Sequence, residues 1–179
     1  MTQRHRYQDL IQLFNGLFQD AEQTVLIAGG EEPVYLPKDA DSLYHRIIFT
    51  RDYYASALHE IAHWCVAGKE RRLLVDYGYW YNPDRRNAQQ QQLFQSVEAK
   101  PQALEWIFSA AADFKFRLSQ DNLSGECLQD DTFALSVYQQ ACHYLTHGMP
   151  DRAKQVKQAL LGFYTADQDR LLSLSLEDL

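Results

Sequence analysis

The chain has 179 residues, a formal net charge of −7, and 46% hydrophobic and 13% aromatic side chains. That length suits one domain able to bury about 70% of its unfolded surface without a disulfide or metal to help it fold, while the acidic total disfavours non-specific nucleic-acid binding and no apolar run is long enough to cross a membrane. Three widely spaced cysteines, Cys65, Cys127 and Cys142, form no C-x-x-C pair, so reduced and buried thiols are expected, and an N-terminus without an apolar signal core makes a cytoplasmic location the expectation.

From Arg6 to about Glu22, the residues Leu10, Leu13, Phe14, Leu17 and Phe18 recur every three or four positions, which predicts an amphipathic helix. His5, just ahead of it, is expected in solvent. Thr24 to Ala28 is a short apolar run closed by Gly29-Gly30, Pro33 and Pro37 punctuate the irregular stretch after it, and Tyr44 to Phe49 reads as a strand. A small sheet is predicted from these runs. Asp52 stands where it can cap the next helix, which should run through Trp64 and Val66 and stop at Gly68 in a left-handed cap.

That helix carries His59-Glu60-Ile61-Ala62-His63. Four residues at 100° each bring the second imidazole to within about 40° of the first, one turn along, so both can reach one metal ion. Two imidazoles leave a divalent ion short of ligands, and a third must come from elsewhere while open positions remain. A third histidine six residues on is absent, since position 69 is Lys69 and position 66 is Val66, which removes the metzincin arrangement. A later carboxylate is the other solution. Glu70, Asp76, Glu98 and Glu105 are the candidates, and Glu98 leads because a proline-induced kink beside it would aim it into a cleft. On the motif alone the chemistry is open between zinc hydrolysis, with Glu60 as general base for a zinc-bound water, and other metal chemistry.

Arg71 to Asp84 mixes a strand signal with the aromatic run Tyr77-Gly78-Tyr79-Trp80-Tyr81, which reads as a site wall or as core. From about Asn87 a helix former runs to Pro101, where a kink or restart is expected, with Pro101 in the first turn of a new segment reaching Phe116. Asp130 to His147 and Asp151 to Phe163 read as two further helices parted by Gly148-Met149-Pro150. With no repeats and no linker, the expectation is a mostly helical α+β fold, a single domain over residues 1–179 with a small sheet and a metal-binding helix.

The run from Tyr53 to Gly68, together with Arg71-Arg72-Leu73-Leu74, Tyr77 to Tyr81, and Val97-Glu98-Ala99-Lys100-Pro101-Gln102-Ala103-Leu104-Glu105-Trp106, closely resembles the elongation factor P hydroxylase family. The resemblance spans about Pro33 to about Leu123. It implies a non-haem enzyme that hydroxylates the modified, β-lysylated lysine of elongation factor P, with that translation factor as its protein partner and neither nucleic acid nor membrane engaged. It also implies a metal site at His59, His63 and Glu98, consistent with Fe(II) using dioxygen at a site of two histidines and one carboxylate. Oxygenase triads generally sit on a β-barrel, so carrying them on a helix leaves 2-oxoglutarate use undefined. Glu60 is then a catalytic residue of open role.

Other residues have plainer readings. His143 and His147 repeat the spacing, but without a neighbouring carboxylate they suit a helix C-terminus. His45 reads as an ordinary strand histidine, and Cys65 lies on the far side of the motif helix. Tyr77, Tyr79, Trp80 and Tyr81 suit a pocket for a long lysine-derived side chain as well as they suit a core. Lys69, Arg71, Arg72, Arg85 and Arg86 form a basic flank, read as a solvated face or as a guide for an acidic partner.

Overall fold

A computed structural model of the chain describes residues 5–76, 88–119, 131–164, 171 and 173–179. In chain order these form α1 (Tyr7–Phe18), β1 (Thr24–Gly30), β2 (Val34–Leu36), β3 (His45–Thr50), α2 (Tyr54–Val66), a 3-10 turn (Arg71–Leu73), α3 (Ala88–Ala111), α4 (Asp131–His147), α5 (Asp151–Tyr164) and a final 3-10 turn (Leu176–Asp178). The fold is mostly helical α+β, as the periodicities predict. Tyr77, Tyr79, Trp80, Tyr81, Arg85, Arg86 and Cys127 lie outside the described residues.

The sheet has the order β1-β3-β2, with β1 parallel to β3 and β2 antiparallel to it. Period-two alternation sends Thr24, Leu26, Ile47 and Phe49 inward. Gly30 must be glycine, because an added Cβ would lie 2.7 Å from the Glu32 carbonyl oxygen and 2.9 Å from the Ile48 side chain. The outer edge, β2, is partly closed by a bridge in which the Tyr35 and Asp76 backbones exchange hydrogen bonds of 2.7 and 2.9 Å. That bridge brings the segment after α2 back to the sheet.

One apolar cluster takes residues from α1, β1, β3, α2, α3, α4 and α5. At its centre is α3, buried at every position from Pro101 to Ala112. Here the structure corrects part of an expectation: α3 is one 24-residue helix with Pro101 inside it, so no new helix starts there, and it ends at Ala111 rather than Phe116. Proline in a helix interior costs about 3 kcal/mol, but each fully buried Leu, Ile or Phe contributes about 1.5–3 kcal/mol. Leu104, Ile107 and Phe108, all fully buried, outweigh the local penalty.

The ends of α2 also differ from expectation. Tyr53, not Asp52, is its N-cap, no side chain caps it, and Asp52 is exposed. At the other end Ala67 is extended, with φ −62° and ψ 125°, and Gly68 is not left-handed. The reason is a distant cation: Arg152 of α5 donates from Nη2 to the carbonyls of Ala67 (2.6 Å) and Cys65 (3.3 Å), filling acceptors that a glycine cap would otherwise satisfy. Gly148 does adopt the left-handed conformation after α4, with φ 102°. His5 is not in solvent. Its Nε2 lies 2.8 Å from the Ala112 carbonyl oxygen, and its ring meets Tyr54, Phe114 and Tyr164 within 5.4 Å.

Candidate metal centre

The apolar side of α2 buries Ala57, Leu58, Ile61, Ala62, Trp64 and Cys65. This anchoring turns the half-buried His59 and His63 toward α3, one turn apart. From α3, Glu98 meets them with its side chain only 5% exposed. His63 Nε2 lies 3.2 Å from Glu98 Oε1, His59 Nε2 lies 3.6 Å from Glu98 Oε2, and the two Nε2 atoms are 3.0 Å apart. Among the described residues this trio is the cluster of three or more His, Cys, Asp or Glu side chains with ligand atoms close enough to share an ion.

The spacing suits a metal. Two donors at right angles, each about 2.1 Å from an ion, are about 3 Å apart, the separation the two imidazole nitrogens show. Glu105, two turns after Glu98 on the same face of α3, lies 2.7 Å from His59 Nδ1 through Oε2. When Nδ1–H donates to this carboxylate, the lone pair of Nε2 is left facing Glu98 and His63, the outer support that metal-binding histidines ordinarily have. Gln102 lies between the two glutamates in sequence. Its Nε2 donates to Glu98 Oε2 (3.5 Å) and to the Ser119 carbonyl (2.8 Å), while its Oε1 accepts from Ser119 N–H (3.0 Å).

The electrostatics favour a cation. Burial disfavours a charged His59, yet Glu105 first, then Glu98 and Glu60, outweigh it and lift its pKa to about 10. Burial likewise disfavours the Glu98 carboxylate, but His63, His59 and Gln102 draw its pKa down to about 2. Glu60 is raised, chiefly by burial, with His59 and His63 opposing. Thus the carboxylates keep a proton on a histidine when no metal is bound, and a divalent ion answers the same negative potential.

Of the trio, His63 lines a cleft of about 310 Å³ whose wall also includes Glu60 of α2, Val97, Lys100 and Pro101 of α3, Tyr35, Ile47, and Arg71, Arg72 and Asp76. The remaining carboxylate candidates are elsewhere engaged. Glu105 backs His59, Asp76 pairs with Arg71 at 2.7 Å, and Glu70 is exposed. His143 and His147 stack at 4.7 Å on the exposed side of α4 and belong to no three-residue cluster among the described residues. His45 stacks on Tyr35 and accepts at Nδ1 from Lys38 N–H, at 3.1 Å. Cys65 is buried, and burial pushes its thiol pKa up. The basic flank is partly spent within the molecule: Arg72 pairs with Glu22 at 2.8 Å and Arg71 with Asp76, while Lys69 is exposed. The supporting roles of Glu105, Gln102 and Arg152 are not apparent from the sequence. The seven-residue step from Glu98 to Glu105 is the available signal for the first.

The family model described as elongation factor P hydroxylase matches residues 13–173 of the chain. A curated relative, the elongation factor P lysine hydroxylase of Haemophilus influenzae, is 48% identical over 165 residues, covering 92% of this chain and 93% of that protein.

Proposed function

We propose, because the chain belongs to the elongation factor P hydroxylase family, that it hydroxylates the β-lysylated lysine of elongation factor P as one metal-dependent domain spanning residues 1–179. The site of action is the cytoplasm, where that translation factor works, with neither nucleic acid nor membrane engaged directly. Of the described residues, no helix is long and apolar enough to cross a membrane. The observation that carries the reading is the convergence of His59, His63 and Glu98, with His63 lining the adjoining cleft.

In this reading His59, His63 and Glu98 hold Fe(II). The iron, when bound, supplies the redox chemistry by which dioxygen oxidises an unactivated C–H bond. The remaining work belongs to the chain. Glu105 holds His59 in the tautomer whose Nε2 is a donor to the metal, and Gln102 tethers Glu98. Ile47, Val66 and Pro101 give the cleft apolar walls that accept an aliphatic stem and exclude water.

The test is to incubate β-lysylated elongation factor P with the iron-loaded protein in air together with a two-electron reductant, whose electrons take the second oxygen atom of dioxygen to water, and to weigh the product. One added oxygen atom is expected with the wild-type chain and none with Glu98→Ala. If the target lysine never gains oxygen, the assignment fails.

A zinc hydrolase remains the competing reading for one reason, the position of Glu60 in the same cleft wall as His63. It requires zinc in protein purified without added metal, and peptide cleavage that Glu60→Gln abolishes. The hydroxylase reading expects no peptide cleavage by either chain.

A further inference from the structure

Most charged groups lining the cleft already have partners. Arg71 and Asp76 hold each other at 2.7 Å, Arg72 is held by Glu22 at 2.8 Å, and His63 lies 3.2 Å from Glu98. Lys100 is exposed at the rim. Glu60 differs from them. It is half-buried, lines the cleft, and makes no hydrogen bond or ion pair among the described residues. Its neighbours His59 and His63 make their direct contacts with Glu105 and Glu98 instead, and reach Glu60 only through their charge. A carboxylate withdrawn from bulk water without a direct partner is costly to keep charged, and a cation brought in by a ligand would offset that cost.

The surroundings specify what that ligand looks like. Ile47, Val66, Ala67 and Pro101 line the same cleft and offer hydrocarbon but no charge. A cationic head on a methylene stem fits this combination of apolar walls and a carboxylate that has no direct partner among the described residues.

We infer that Glu60 is the recognition residue for the ammonium group of an extended, lysine-derived side chain whose methylene stem lies along Ile47, Val66 and Pro101. The inference rests on the hydroxylase reading for the identity of the substrate. It gives Glu60 a part in specificity: it selects a side chain with a free amine over one whose amine is blocked.

The experiment uses the full chain loaded with iron and kept free of oxygen, so that binding is measured without turnover. Two synthetic peptides carry the same lysine-derived side chain, one ending in a free ammonium and the other in its acetyl amide. Wild-type protein should bind the ammonium peptide roughly tenfold or more tightly than the acetylated one, the range expected for a hydrogen bond to a charged group. Glu60→Gln should keep its iron, lose that preference to within about twofold, and bind the ammonium peptide no better than the acetylated one. Equal affinities of the wild-type chain for the two peptides, undetectable binding of both included, overturn the inference without any variant. So does a Glu60→Gln chain that retains the wild-type preference, an outcome that would leave Glu60 as a proton-transfer group. Failure of the hydroxylase reading shows separately, as a wild-type chain that discriminates between the peptides yet adds no oxygen to elongation factor P in air with the reductant present.

Discussion

Glu105 touches neither the cleft nor the other ligand atoms, yet its 2.7 Å contact to Nδ1 decides which way His59 presents its lone pair. Changing Glu105 to Gln keeps the shape but replaces a charged acceptor with a neutral one, and metal affinity should fall about 10- to 100-fold. Competition with a chromophoric chelator measures this directly. The charges also set a pH dependence for the metal-stripped protein. Glu98 has a folded pKa of about 2, below its ordinary 4.5, so its contribution to stability is complete above 4.5 and drains as pH falls toward 2. His59 is opposite in sign. Its folded pKa of about 10 exceeds 6.5, so its contribution is complete below 6.5 and is lost as pH rises toward 10. Urea midpoints of the stripped protein should therefore decline on both sides of the window from 4.5 to 6.5. At this scale the sequence is most readable for His59 and His63, because a helix converts a four-residue step into a shared direction, whereas Glu98 stands out from three other carboxylates only through its place beside Pro101 and the family resemblance. The service of Glu105 to His59 is not readable in the same way, since a glutamate two turns further on looks equally suited to ligating a metal.

Two of the helices show where local rules yield to tertiary ones. Pro101 predicts a break, and α3 runs through it because its following turns are buried among α2, α4 and α5. Position 101 still has no N–H to give the Val97 carbonyl one turn back. Pro101→Ala restores that donor, and thermal unfolding should show stabilisation, up to about 3 kcal/mol. Likewise Asp52 and Gly68 are good capping residues by sequence, but α2 takes its C-terminal partner from Arg152, 85 positions past Ala67. No window on the sequence around residue 68 contains that guanidinium. Arg152→Ala should destabilise the protein by about 1–3 kcal/mol, the range for stripping a buried acceptor of its partner, and a denaturant titration will read it. Gly148 obeys its local rule because the turn after α4 has no competing partner among the described residues, only the Gly148 N–H donating to Tyr144 at 3.2 Å.

Across the whole molecule, the order and kinds of element follow from periodicity, whereas the pairing of strands does not. The parallel alignment of β1 with β3, leaving β2 outside, depends on where α1 and α2 lie on the sheet, which alternation within a strand does not encode. The core that organises both layers is centred on α3, and Phe108→Ala at its fully buried middle should cost about 3–5 kcal/mol by equilibrium unfolding. Because α2 and α3 carry the donor atoms and also pack against each other, metal occupancy and global stability are linked: raising free Fe(II) well above its dissociation constant should raise the melting temperature of the wild-type chain, but not that of Glu98→Ala. One side chain at this junction also offers an optical handle. Trp64 meets Phe14 and Phe18 edge-on at 5.2 and 4.8 Å, has the Arg152 guanidinium 4.4 Å from its ring centre, and forms part of the cleft wall. Its indole is therefore a native fluorophore whose emission colour and quenching report what fills the cleft once Trp80, the third tryptophan of the chain, is replaced by Phe, leaving Trp106, sealed beside Phe116, as the background. Occupancy of the groove becomes visible in a cuvette, with no label attached.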